Sequence, residues 1–318
     1  MGVPYLNRFL KQNACKGMSR VSLSNYKGKK IVVDTSIYLY RFMSEGLFIE
    51  NFYLMMTLFI KYEITPIFVF DGIPPQEKKA EIEFRYARKE RAYEEYRKRL
   101  QEYEEAVGNR RKTLKKELDN LKRQFIRVDK DDIQLVKNLI QAYGLSYYTA
   151  KGEADVVCAE LMKRGMVDAC MSDDMDLFVY GCNKVLRYLS ILNSTVIEYD
   201  LDVILNELNI TFEGFRRVCV ASGTDYNKSD HYNENHIDEI FSSYKVFAND
   251  SNEDSTAFYD WLSDKRVVPR QSNDLHNVEE LFNPENYHED IDNLVIYNSV
   301  VNSNVLRNIL SKHGFIFI

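Results

Sequence analysis

An α/β fold, with a mostly parallel central sheet flanked by helices, is predicted by three features of this 318-residue chain. Short apolar runs alternate with helix-period segments, a long charged insertion starts just after one of those runs, and acidic residues recur where the runs end. Alternation of this kind marks βαβ units, in which each parallel strand is reached through a crossover helix.

In chain order, Tyr5–Gln12 reads as a helix, Ile31–Val33 as a strand, Tyr53–Tyr62 as a helix and Ile67–Phe70 as a strand. After Asp129 the pattern resumes with a helix over Ile133–Tyr143, a strand at Leu145–Tyr148, a helix from about Ala154 to Arg164 and a strand at Val167–Met171. Between these halves lies Gln76–Gln124, rich in Glu, Lys, Arg and Tyr, which reads as two helices separated by Gly108-Asn109. A charge run ordinarily marks a solvated helical hairpin. This one follows a strand-ending Asp71-Gly72, the place where an α/β sheet carries its site, so a role at that site is expected. From Asn227 to about Pro284 the chain is rich in Asn, Asp and Ser with helical stretches, and no glycine occurs between Gly223 and Gly314. No internal repeat is present, and 318 residues with 45% hydrophobic content could hold one large domain or two ordinary ones.

The net charge of −6 argues against a nucleic-acid partner, because phosphate is bound chiefly by Lys and Arg. Its distribution points the other way. Glu77–Gln124 holds 16 Lys and Arg against 11 Asp and Glu, so the insertion is basic and the remainder strongly acidic. No apolar run reaches the roughly 18 residues of a membrane span, and no secretory signal opens the chain. Leu6 stands where a myristoylation signal needs Ser or Thr. No membrane partner is expected. The five cysteines, Cys15, Cys158, Cys170, Cys182 and Cys219, form no metal-ligand spacing, which fits a reduced intracellular protein.

The acidic residues carry the chemistry. Asp34 closes the first strand, Asp71 the second, Glu153 and Asp155 follow the third, Asp174 and Asp176 the fourth, and Asp225 follows a helix. A lone Asp at a strand end is usually a turn former or helix cap. Seven acids at one sheet edge repel one another unless cations neutralise them. A donor set of oxygen alone points to Mg2+, with Mn2+ as a substitute. A calcium EF-hand loop starting near Asp174 fails, because it needs Gly at 179 and Glu at 185, where Val179 and Val185 stand. Glu153 and Asp155, two residues apart, would diverge on a regular helix, so an irregular first turn is expected there.

These residues resemble the flap endonuclease family of structure-specific 5′ nucleases. Met1-Gly2-Val3 with Leu6 resembles the family's amino terminus, Val33-Asp34-Thr35-Ser36-Ile37-Tyr38-Leu39-Tyr40 its first acidic motif, and Phe70-Asp71-Gly72-Ile73-Pro74-Pro75-Gln76 its second. Gly152-Glu153-Ala154-Asp155, Ser172-Asp173-Asp174-Met175-Asp176 and Gly223-Thr224-Asp225-Tyr226 are similar to the third, fourth and fifth. The resemblance implies a single nuclease domain over residues 1–318 in which Asp34, Asp71, Glu153, Asp155, Asp174, Asp176 and Asp225 hold two metal ions. Asp155 departs from the Glu usual at its place, and the shorter arm shifts that ligand toward contact through water. Residues 76–129 become a helical arch for the single-stranded 5′ end, with Lys78 and Arg85 on the scissile phosphate. Seven residues are two helical turns, so both cations would share one face. By the same resemblance Tyr40 stacks on a base. Gly2 is a further DNA-binding candidate, and Arg110, Arg111 and Lys112, a basic cluster near the insertion's midpoint, are expected to bind DNA backbone by charge.

Residues 226–262 stand where the family has a helix-hairpin-helix for duplex DNA, but the expected Gly-x-Gly turn is missing. Asn233 and Asn235, tolerant of positive φ, are the expected replacement, followed by a helix over Ile237–Tyr244. Leu281-Phe282-Asn283-Pro284-Glu285 and Leu306–Phe315 resemble helices that pack back on the core. The chain ends at Ile318 without the sliding-clamp motif of many cellular members, so a compact monomer, a viral one included, is expected in the nucleus, the cytoplasm or a viral replication site. The activity implied is Mg2+-dependent hydrolysis of branched or single-strand-bearing DNA in replication, repair or recombination, leaving a 5′ phosphate. A 5′→3′ exonuclease or junction resolvase of the same superfamily, and a non-catalytic DNA-binding scaffold, remain the alternatives.

Overall fold

The computed structural model describes residues 2–227, 236–250, 257–268, 272–287, 289–292 and 294–317. In chain order, α1 (Leu6–Asn13), β1 (Met18–Ser22), β2 (Lys30–Asp34), α2 (Thr35–Glu45), α3 (Phe48–Lys61) and β3 (Thr65–Phe70) precede the long helices α4 (Lys79–Glu105) and α5 (Gly108–Gln124). Then come α6 (Lys130–Ala142), β4 (Ser146–Thr149), α7 (Ala154–Lys163), β5 (Ala169–Met171), α8 (Asp176–Tyr180), β6 (Lys184–Ser190) and β7 (Thr195–Asp200). The helices α9 (Leu201–Leu208), α10 (Phe212–Ala221), α11 (His236–Asp250), α12 (Phe258–Asp264), α13 (Ser272–Leu281) and α14 (Ser303–Ser311) complete the described residues.

The seven strands form one sheet in the order β1-β7-β6-β5-β2-β3-β4. Pairings of β2 with β3 and β5, of β3 with β4 and of β5 with β6 are parallel, whereas β7 is antiparallel to β1 and β6. The expected mostly parallel sheet is present. Its antiparallel edge and the helix α2 are additions that the sequence pattern does not mark. β1 and β7 are half-exposed and lack the continuous apolar run of a strand covered on both faces.

The central strands do carry that run, and each feeds two cores. Val32, Ile67, Val69 and Cys170 pack with α1, α7, α8 and α10 on one face; Ile31, Val33, Phe68, Phe70, Ala169 and Met171 pack with α2, α3 and α6 on the other. Each fully buried aliphatic or aromatic side chain contributes about 1.5–3 kcal/mol. The expected helix near the carboxyl terminus is α14, which lies against α6 and buries Leu310.

The insertion is an antiparallel pair, α4 against α5, as expected. α4 has 27 residues, about 40 Å of helix, and buries only Glu81 and Ala92. Its contact with the rest of the pair comes from Leu114 and Leu118 of α5 and from Phe125, whose ring meets Tyr93 and Tyr96 at 5.3 Å. The helix expected over Ile237–Tyr244 is the longer α11, which inserts Ile237 and Ile240 into the core. Asn233 and Asn235, and with them the duplex-binding turn expected there, lie outside the described residues.

One backbone approach ties the second and third acidic segments together. Gly72 N donates to Gly152 O at 2.7 Å and Ile73 N to Lys151 O at 3.0 Å. A Cβ at position 72 would lie 2.0 Å from Ala150 O. Gly72→Ala is therefore expected to destabilise the fold by about 1–3 kcal/mol, read as a lower urea midpoint. An unchanged midpoint would show that this loop yields without cost.

Candidate active site

Parallel strands aim their carboxyl ends the same way, and that direction gathers the acidic residues. Asp34 is the last residue of β2, Asp71 follows β3, Glu153 and Asp155 open α7 after β4, and Asp174 and Asp176 follow β5. Asp225 arrives from the end of α10. Glu153 is the extended N-cap of α7 (φ −92°, ψ 144°), while Asp155 is already helical. That break in backbone geometry is the irregular first turn expected there.

Short hydrogen bonds link the segments. Ser172 Oγ donates to Asp34 Oδ2 at 2.8 Å and accepts from Asp174 N at 3.0 Å, and Asp174 Oδ1 accepts from Asp176 N at 3.0 Å. Asp71 Oδ1 accepts from Ala154 N at 2.8 Å, closing the first turn of α7. Lys78 Nζ donates to Glu153 Oε1 at 2.6 Å and stands 4.0 Å from Asp225 Oδ2. Arg85 pairs with Asp225 and donates to Glu81 Oε1 at 2.7 Å.

Lys78 ends a 3₁₀ turn, Gln76–Lys78, and Arg85 sits in α4, so no single regular helix carries both. They converge on Asp225 all the same.

Crowded acids in a dry setting resist ionisation. Burial pushes the Asp34 carboxyl up to about 8, with the charges of Asp71 and Asp174 adding to it and the Ser172 hydrogen bond opposing. Desolvation also raises Asp155 well above the usual carboxylate range; Asp174 and Asp34 add to this and Lys78 opposes it. Burial disfavours the Lys78 charge, but Glu153, Asp155 and Asp176 outweigh it and hold the ammonium above its ordinary pKa. Arg85 behaves alike, with Asp225 and Glu81 outweighing burial.

Among the described residues, no three carboxylates already form a closed metal-ligand shell. Lys78 and Arg85 occupy part of the space between them and supply the positive charge. The donor chemistry nevertheless fits a hard divalent cation: all oxygen, with Asp34, Asp174, Asp176 and Asp225 buried. With its folded pKa raised from 3.8 to about 8, protonated Asp34 contributes stability that is complete below about pH 4 and lost as pH rises through 8. In chelator the melting temperature is expected to fall across that window, and excess Mg2+ should remove most of the fall. A melting temperature in chelator that climbs from pH 5 to about pH 8 would contradict this assignment.

Other residues singled out in the sequence divide into two groups. Gly2, at φ +78°, packs directly on the carboxylates: a Cβ there would lie 2.3 Å from Asp174 Oδ1 and 2.6 Å from Asp176 N. Tyr40 is half-exposed on α2 within reach of the charges of Asp71 and Arg85, with Lys89 Nζ 4.8 Å from its ring centre. Arg110, Arg111 and Lys112 begin α5 at the far end of the arch, about 30 Å from Arg85 along α4. There Arg110 donates to Glu102 at 2.9 Å and Arg111 lies over the Tyr103 ring. The structure does not bring these three to the carboxylates.

Several partners escape a reading of the sequence. Ser172 and Tyr226 sit inside the acidic motifs, but reasoning from carboxylates alone gives them no part. Glu81, buried between Lys78 and Arg85, could have been found by its three- and four-residue spacing from them. Tyr180, whose hydroxyl is 3.1 Å from that of Tyr226, is 46 residues away and carries no local signal.

Two family models match the chain, the XPG N-terminal domain over residues 1–92 and the XPG I-region over residues 144–225. The arch lies largely between them. Flap endonuclease 1 of Glycine max is 30% identical over 245 residues, covering 71% of this chain and 62% of the relative. The chain thus spans less than two thirds of that relative's length. Flap endonuclease 1 of Encephalitozoon cuniculi (strain GB-M1) is 31% identical over 243 residues, covering 71% of this chain and 68% of the relative. Among solved structures, the catalytic core of Rad2 in complex with DNA substrate superposes with a TM-score of 0.68 at 21% identity, covering 96% of this chain and 95% of that one. With its acidic motifs inside both matched segments and a relative aligned over two thirds of each partner, this chain belongs to the flap endonuclease family.

Proposed function

We propose that the chain is a divalent-metal-dependent nuclease acting as a 5′ flap endonuclease and 5′→3′ exonuclease on branched or single-strand-bearing DNA. The observation that carries this reading is the entry of Lys78 and Arg85, from the base of the arch, among the carboxylates, where both approach Asp225. Asp34, Asp71, Glu153, Asp155, Asp174, Asp176 and Asp225 would hold two Mg2+ ions, with Mn2+ able to substitute. Bound there, such ions supply water activation and charge neutralisation for in-line hydrolysis that leaves a 5′ phosphate.

The rest falls to the chain's own side chains. Lys78 and Arg85 would meet the non-bridging oxygens of the scissile phosphate as charge develops on them. Tyr40, half-exposed at the mouth, offers a ring face to a base. The basic arch guides the single strand, with Arg110, Arg111 and Lys112 on its backbone, and residues 226–262, including Asn233 and Asn235, bind the downstream duplex. The protein acts as a monomer in the nucleus or cytoplasm; among the described residues no helix is long and apolar enough to cross a membrane.

Labelled flap, gapped, nicked and four-way DNA incubated with and without Mg2+ test the reading. Cleavage is expected on the flap, one strand only, and only with metal. Preferential symmetric cutting of the four-way substrate would make the chain a junction resolvase, and binding without cleavage on all four would make it a scaffold.

A further inference from the structure

Glu153 is held from both sides, by an ammonium and by a phenol. Its Oε1 accepts from Lys78 and its Oε2 accepts from the Tyr226 hydroxyl at 2.7 Å. That hydroxyl lies 3.1 Å from the Tyr180 hydroxyl. A phenol has a single proton to donate. Tyr226 gives its own to the carboxylate, so Tyr180 must donate to Tyr226, and this second bond polarises the first and strengthens it. The rings are fixed from behind. Phe282, fully buried after α13, meets Tyr226 edge-on at 5.3 Å and Tyr180 at 4.9 Å, while the Lys78 ammonium sits 5.1 Å from the centre of the Tyr226 ring. One tyrosine therefore touches a candidate metal ligand through its hydroxyl and a candidate phosphate-binding lysine through its face.

We propose that Tyr226, backed by Tyr180 and Phe282, is a positioning residue that orients Glu153 toward the metal and seats Lys78 for the phosphate. The proposal rests on the nuclease reading above. When a cation takes the place of Lys78 at Glu153, a carboxylate on a flexible arm could turn either edge to it. The Tyr226 bond commits Oε2 and would leave Oε1 available to a metal, while the ring holds the Lys78 ammonium by cation–π attraction. Outer partners of metal ligands of this kind typically matter by about 10- to 100-fold in metal affinity.

Tyr226→Phe removes the hydroxyl and keeps the ring, Tyr180→Phe removes only the polarising donor, and Tyr226→Leu removes the ring face as well. Mn2+ binding to the DNA-free protein, followed by electron paramagnetic resonance, is expected to weaken about 10-fold or more in Tyr226→Phe and less in Tyr180→Phe. At saturating Mg2+ the single-turnover rate should largely recover in Tyr226→Phe and stay low in Tyr226→Leu, where Lys78 has lost its seat. Metal-free melting checks that each variant is folded. Unchanged Mn2+ affinity in Tyr226→Phe overturns the proposal and leaves the nuclease reading standing. Should that variant not fold, unchanged affinity in Tyr180→Phe overturns it instead. An unmutated chain that neither binds Mn2+ nor cleaves DNA overturns the nuclease reading, and this proposal with it.

Discussion

Asp174→Ala is expected to lower Mg2+-dependent cleavage by at least about 10²-fold while DNA affinity stays within several-fold. Asp174 is buried between Gly2, Ser172 and Asp176, and its charge is among the causes that raise the Asp34 and Asp155 carboxyls above their ordinary range. Removing it loses the hydrogen bond from Asp176 N but relieves that repulsion. The metal-free melting temperature should therefore change little, whereas its rise on adding Mg2+ should largely disappear. This joint outcome separates a metal ligand from a structural acid, which would lower the melting temperature without touching the metal effect. Asp71→Ala should inactivate equally, but it also strips the acceptor from Ala154 N, so Asp71→Asn is the cleaner variant. Residual turnover above about a hundredth of the original in either variant would remove that residue from the metal site. Ca2+ is expected to bind without supporting cleavage, because it tolerates loose coordination where Mg2+ enforces octahedral order.

Lys78→Ala and Arg85→Ala should each lower the single-turnover rate by about 10²-fold or more, with a much smaller change in substrate affinity. Both side chains meet the carboxylates, Lys78 at Glu153 and Arg85 at Asp225. Loss of Lys78 leaves Glu153 with Tyr226 alone and should weaken the metal-free fold, an effect that Mg2+ reverses. Arg85→Lys is expected to rescue only part of the rate, because the guanidinium reaches Glu81 and Asp225 from two separate nitrogens of a rigid fork, a geometry that a compact ammonium does not reproduce. An equal loss of affinity with no loss of rate would make both residues simple holders of the DNA backbone.

The parallel sheet and its acidic edge were legible because both are local signals. A strand buried on two faces must be a continuous apolar run, and the turn that ends it is polar, so Asp34, Asp71, Glu153, Asp174 and their neighbours stand out one segment at a time. The helical arch was legible for the same reason, its charge and its Gly108 break being written in adjacent residues. β1 and β7 were not, because a half-exposed strand is defined by what pairs with it.

The chain's order of residues alone thus determined the α/β class, the set of seven acids and the basic insert, since each follows from the periodicity or chemistry of a short segment. Tertiary structure decided the rest. Only folding brings Tyr180 and Phe282 behind Tyr226, sets Gly2 against Asp174, and puts Lys78 and Arg85 on Asp225 rather than in solvent. Those contacts join residues up to about 170 positions apart, and their strength comes from burial, which no local window of sequence can register.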